Sequence, residues 1–140
     1  MIGAVAFALL SGCNRGQLPE RKVQIDQDWV LQAGSEVAGY AISSGLGDIT
    51  LELGGDVVRM PFDGEVQPAE GGCVMVSSPE VPAYLFRLCG VHNPKLGARS
   101  QHQTIGHAQQ LVFATLRKQP SGTWAMVEPS TSLIKQLVRE

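Results

Sequence analysis

Val57-Val58-Arg59-Met60-Pro61-Phe62-Asp63-Gly64-Glu65-Val66 is the stretch from which the rest of the chain is most readily read. Residues 57–60 and 65–67 each have the composition of a short strand. Asp63-Gly64 lies between them as a tight-turn signal, because glycine tolerates the positive φ that hairpin turns require. Upstream, residues 37–42 and 48–53 also look like short strands, and Gly54-Gly55-Asp56 is a second tight turn. Downstream, Cys73-Val74-Met75-Val76 and Tyr84-Leu85-Phe86-Arg87-Leu88-Cys89 read as a pair of strands. Residues 90–99 hold Asn93-Pro94 and two glycines and read as a loop. Strands resume at 103–105, 110–117 and 124–127, with Pro120-Ser121-Gly122 turning the chain between the last two. The end changes period. Pro129 is followed by the capping hydroxyls of Ser130, Thr131 and Ser132, and then Leu133, Ile134, Leu137 and Val138 recur at helical spacing. The pattern predicts an all-β domain, a small barrel or sandwich of short strands, with a C-terminal helix of about two to three turns.

Composition sets outer bounds on function. A hydrophobic share of 44% is ample for one core, and 140 residues suit one domain better than two. A formal charge of -2 supplies no basic field, so nucleic acid is excluded as a partner class. Three cysteines are present: Cys13, Cys73 and Cys89. If the strands carrying Cys73 and Cys89 pair as a hairpin, the two thiols lie near its open end. They form a disulfide there, or remain buried as small apolar groups.

The first ten residues carry no charge, and Ile2, Val5, Ala6, Phe7, Ala8, Leu9 and Leu10 make an apolar run. That length suits a signal-peptide core of roughly 7–15 residues and falls short of the about 20 needed to span a bilayer. Leu10-Ser11-Gly12-Cys13 resembles the lipobox of bacterial lipoproteins. The resemblance implies a signal peptide at 1–12, a diacylated thiol on Cys13, and cleavage that makes Cys13 the first residue. Residues 13–30, polar in their first half, then read as a tether and 31–140 as the β-rich domain. The chain would be exported and held at the membrane by lipid. Asn14 stands where an Asp acts as an inner-membrane retention signal in many Gram-negative bacteria. One departure is the lack of Lys or Arg before the apolar run. The competing reading is a buried N-terminal element with an ordinary core cysteine.

From Val57 onward the segments also follow a known order. Residues 57–66 look like the V-x-A-P-x-D-G-x-V strand-turn-strand of barrel-sandwich hybrid domains, which include biotinyl and lipoyl domains and the lysostaphin-type zinc endopeptidases. Residues 73–76 and 84–88 resemble the next hairpin of those endopeptidases. Gln103-Thr104-Ile105-Gly106 resembles their G-Q-x-I-G segment, and Gln110-Leu111-Val112-Phe113-Ala114 falls where they carry H-L-H-F-E. The similarity spans residues 57–138. It implies the fold and argues against the catalysis. A catalytic zinc needs three protein ligands and an open position. Gln110 and Val112 stand where the family has histidines, and no histidine precedes Val57.

The histidines that do occur, His92, His102 and His107, match no zinc spacing and have no carboxylate among them. Lys95 sits in a turn whose flanks match neither the biotinyl nor the lipoyl acceptor. Neither a metal nor a cofactor is expected. The expectation is a non-catalytic lipoprotein that binds or scaffolds an envelope or membrane protein, with His92, Asn93, Lys95 and Arg99 of the loop at 90–102 as contact residues. The alternatives are a zinc endopeptidase-like hydrolase with ligands drawn from elsewhere, and a fragment of an efflux adaptor. The adaptor's long helical hairpin has no counterpart here.

Overall fold

The structure, a computed structural model, describes residues 23–25, 31–44 and 48–138. The expectations at Cys13, at the signal peptide 1–12 and at most of the tether lie outside the described residues. In chain order the elements are β1 (Val23–Ile25), β2 (Glu36–Val37), β3 (Tyr40–Ser44), β4 (Ile49–Glu52), β5 (Val57–Arg59), β6 (Gly64–Pro68), β7 (Val74–Ser77), β8 (Tyr84–Cys89), β9 (Gly97–Arg99), β10 (Thr104–His107), β11 (Gln110–Lys118), β12 (Trp124–Val127) and the helix α1 (Thr131–Val138). The described chain is a small all-β domain with one C-terminal helix.

The large sheet runs β2-β3-β4-β11-β8-β7-β6-β9. Its organiser is β11, whose nine residues serve three neighbours. One edge takes β8 over residues 112–117. The other edge takes β4 at 110–113 and then β12 at 115–118. β10 and β5 form a separate two-stranded sheet.

Alternation along β11 explains the layering, because successive residues of a strand face opposite sides. Leu111 and Phe113 are fully buried, in one cluster with Ile49, Leu51, Val66, Val74, Val76, Phe86 and Leu88. Val58 of β5, Ile105 of β10 and the helix residues Leu133, Ile134, Leu137 and Val138 complete that cluster. The small sheet and the helix therefore cover one face of the large sheet. On the other face Met75, Leu85, Ala114, Leu116 and Met126 make a smaller cluster. The helix starts where the hydroxyls foretold it, with the Leu133 amide donating to Ser130 Oγ at 3.1 Å.

Four features differ from the sequence reading. Residues 37–42 are not one strand: Ala38 (φ 55°) and Gly39 (φ 85°) form a two-residue turn, and Val37 pairs with Tyr40. Two consecutive positive φ values are what such a hairpin needs, but Ala-Gly is a poor signal for it. Asp63-Gly64 does not join a hairpin either. β5 pairs with β10, while β6 pairs with β7 and β9. Gly64 serves close approach instead of positive φ, since a Cβ there would lie 2.0 Å from the Ser77 carbonyl oxygen. The Asp63 carbonyl accepts from the Ser78 hydroxyl at 2.6 Å, and its carboxylate from the Gln101 amide at 2.7 Å, so the crossing is tied at both ends. Residues 97–99, read as loop, form β9 on the edge of β6. Lastly, Val23–Ile25, within the stretch read as tether, pairs in parallel with Trp124, Ala125 and Met126. Its apolar-polar-apolar sequence suits a strand added at an edge.

Candidate functional site: the loop after β8

The loop starts at a covalent link. β7 and β8 pair with Val74 opposite Leu88, which sets Cys73 directly across from Cys89 at the open end of the hairpin. Their sulfurs are bonded, with the Cα atoms 4.2 Å apart. Bonds of this kind persist in oxidising compartments and are rare in a reducing cytosol. Among the described residues no helix is long and apolar enough to cross a membrane.

Beyond Cys89 the chain does not wander. The His92 amide donates to the His107 carbonyl at 2.8 Å, and the Lys95 amide to the Ile105 carbonyl at 2.8 Å. The loop therefore lies along β10 as an irregular third strand. It fits only because residue 106 is glycine: a Cβ there would sit 2.6 Å from Val91 Cγ1 and 2.7 Å from the His92 carbonyl oxygen. Asn93 takes a left-handed backbone (φ 49°), which asparagine tolerates, and so reverses the chain between the two tie points. Arg99 folds back, with its Nη2 donating to the Leu96 carbonyl at 3.1 Å.

Of the sequence candidates, His92 is brought beside His107, and Lys95 lies farther along the same ordered loop, opposite Ile105. The imidazoles of His92 and His107 are exposed, with ring centroids 6.2 Å apart. Asn93 and Lys95 are exposed as well. Arg99 is half-buried and acts as a buckle for the loop instead of an outward contact. His102 is exposed and has a left-handed backbone (φ 73°), with its amide donating to the Met60 carbonyl at 2.8 Å. Sequence reading overlooked Leu96. At 47% exposure it is the large hydrophobic most open to water among the described residues. Its place between Lys95 and Gly97, outside any apolar periodicity, was the available signal.

Gln110 and Val112 point to the sheet face opposite Leu111 and Phe113. Gln110 pairs in register with Glu52 and donates through Nε2 to both carboxylate oxygens, at 3.1 and 2.9 Å. The Ser43 hydroxyl donates to the same carboxylate at 2.6 Å. These bonds, Ser43 first and Gln110 second, hold the Glu52 carboxyl below the usual glutamate value. Nearby, the hydroxyls of Ser44 and Thr50 bond to each other at 2.9 Å. Val112 offers no donor atom to a metal. Among the described residues no three His, Cys, Asp or Glu side chains gather as a metal site. No protein-family model matches the chain, and no curated protein matches it.

Proposed function

We propose that this chain is a membrane-tethered extracytoplasmic lipoprotein whose β-domain is a non-catalytic binding or scaffold module for an envelope or membrane protein complex. The tether rests on Leu10-Ser11-Gly12-Cys13 directly after an uncharged apolar run, and the Cys73–Cys89 bond suits the same compartment. The binding role is carried by one observation: an exposed Leu96 held out between Lys95 and Arg99 on a loop fixed by backbone bonds. An apolar side chain on a pre-ordered loop contributes contact area without the entropy cost of ordering that loop on binding. The likeness to lysostaphin-type endopeptidases supports a domain that has lost hydrolysis, because glutamine and valine replace the two histidines of the last motif.

A photo-crosslinking amino acid at position 96, introduced into the full-length protein in its own host, tests the binding role. A discrete adduct with a membrane-fraction protein is expected, absent when the same group is placed at exposed Lys118. Identical crosslinking from 96 and 118 would contradict it, as would no adduct at 96.

A further inference from the structure

The start of the binding loop and the entry of the N-terminal chain lie toward opposite ends of β11. Cys89, where the loop begins, pairs with Val112. Lys118, at the other end of the strand, pairs with Trp124 across the β11–β12 turn. β1 runs parallel to β12 with Val23 opposite Trp124, so the chain coming from Cys13 enters the domain at this turn. The nine residues of β11 put the turn about 27 Å from Gln110. Ten peptide units separate Cys13 from Val23. For that length the random-coil span is about 17 Å and the fully extended limit about 35 Å. A lipid on Cys13 therefore brings the turn to the bilayer with little extension of the chain. Bringing the Gln110 end there instead requires that chain drawn out along the whole domain. This step rests on the tethered reading proposed above.

The charges at the turn suit lipid headgroups. Lys118 is exposed and makes no ion pair among the described residues. Residues 119–123 carry no charge, and Trp124, half-buried, follows them. Tryptophan favours the headgroup level of a bilayer because its ring is both apolar and a donor. In the approach to Val23, the charges of Arg15, Arg21 and Lys22 outweigh that of Glu20. Arg117 shares its surroundings with Glu128, which offsets its charge. Two further carboxylates at this end, of Asp63 and Glu80, lie on the far side of β8 from the turn. Each already accepts a backbone amide, from Gln101 and from Asp63 respectively.

We propose that the β11–β12 turn rests on an anionic bilayer surface, with Lys118 among the headgroups, and so holds the start of the binding loop away from the lipid. A basic residue close to such a surface strengthens the contact about fivefold, and the effect fades within a Debye length of about 10 Å. One lysine is too weak to recruit a free protein. An anchor on the same chain supplies the effective concentration that makes the contact count.

The test couples the Cys13 thiol of the full-length chain to a maleimide phospholipid in nanodiscs; Cys73 and Cys89 are bonded to each other and do not compete. The anchor is then present whether or not the native chain is acylated. A failed tether shows in the mass of the native protein, and a failed contact shows only here. A phospholipid with a nitroxide on its headgroup broadens the amide signals that approach it. In discs of mixed phosphatidylcholine and phosphatidylglycerol, Lys118 and residues 121–124 should broaden most, and His92 and Gln110 least. Pure phosphatidylcholine, or raised salt, should lower the broadening at the turn. Lys118→Gln should weaken the contact about fivefold, read as a higher phosphatidylglycerol fraction at half-maximal broadening, and Lys118→Arg should restore it. The variants leave the fold intact, because the bond from residue 118 to the Ala83 carbonyl uses the backbone amide. The proposal is overturned if His92 or Gln110 broadens as much as the turn. It is equally overturned if either pure phosphatidylcholine or Lys118→Gln leaves the broadening at the turn unchanged.

Discussion

Glu52 shows how much one exposed carboxylate is shaped by its neighbours. Its hydrogen bonds from Ser43 and Gln110 favour the ionised form, so its folded value lies below its unfolded one. The contribution to stability is therefore present above the unfolded glutamate value and is lost as pH falls through the folded one. Side-chain carboxyl NMR should give Glu52 a midpoint below an unpaired glutamate, and Ser43→Ala or Gln110→Leu should each raise it. An unchanged midpoint in both variants would mean that the bonds do not form in solution. Gly64 is fixed by close approach of the backbone. Gly64→Ala places a methyl 2.0 Å from the Ser77 carbonyl, and the backbone must part to admit it. A loss of about 1–3 kcal/mol in denaturant unfolding is expected, whereas a permissive turn glycine would lose less.

Two elements can each be tested by removing a single bond. The helix α1 has eight residues, too few to stand alone, and depends on its cap and on burial of its apolar side. Ser130→Ala removes the acceptor for the Leu133 amide and should cost about 1 kcal/mol. The β7–β8 hairpin is closed by a disulfide spanning a sequence separation of 16, which is worth about 3 kcal/mol against the unfolded chain. Urea titration of the Cys73→Ser/Cys89→Ser double variant should show that loss. An unchanged midpoint would mean that hairpin pairing alone holds this end. Strand positions were largely legible in the sequence because short apolar runs between glycines and prolines leave few alternatives, and β12 and α1 followed directly from their punctuation. Partners were less legible. The sequence of residues 57–66 cannot reveal that β5 leaves the large sheet for β10, since its partner strand lies 45 residues downstream, with Thr104 opposite Arg59. Ala38-Gly39 hid a turn because alanine rarely takes positive φ.

At the scale of the whole molecule, one sheet carries distinct surfaces. The end beyond the disulfide presents the ordered loop, and the face bearing Gln110 carries a closed network of hydrogen bonds. The loop was found from its length and polarity, but Leu96, its exposed apolar residue, was not. The buckling role of Arg99 was hidden because it depends on a bond back to the Leu96 carbonyl. Lipidation of Cys13 is the proposed link between this domain and a membrane, and mass spectrometry of the membrane-fraction protein, wild type against Cys13→Ala, reads it out. A diacylated or triacylated N-terminal Cys13 is expected in the wild type, with both the lipid mass and membrane association lost in the variant. A wild-type chain that retains an unmodified Met1 and stays out of the membrane fraction would contradict it.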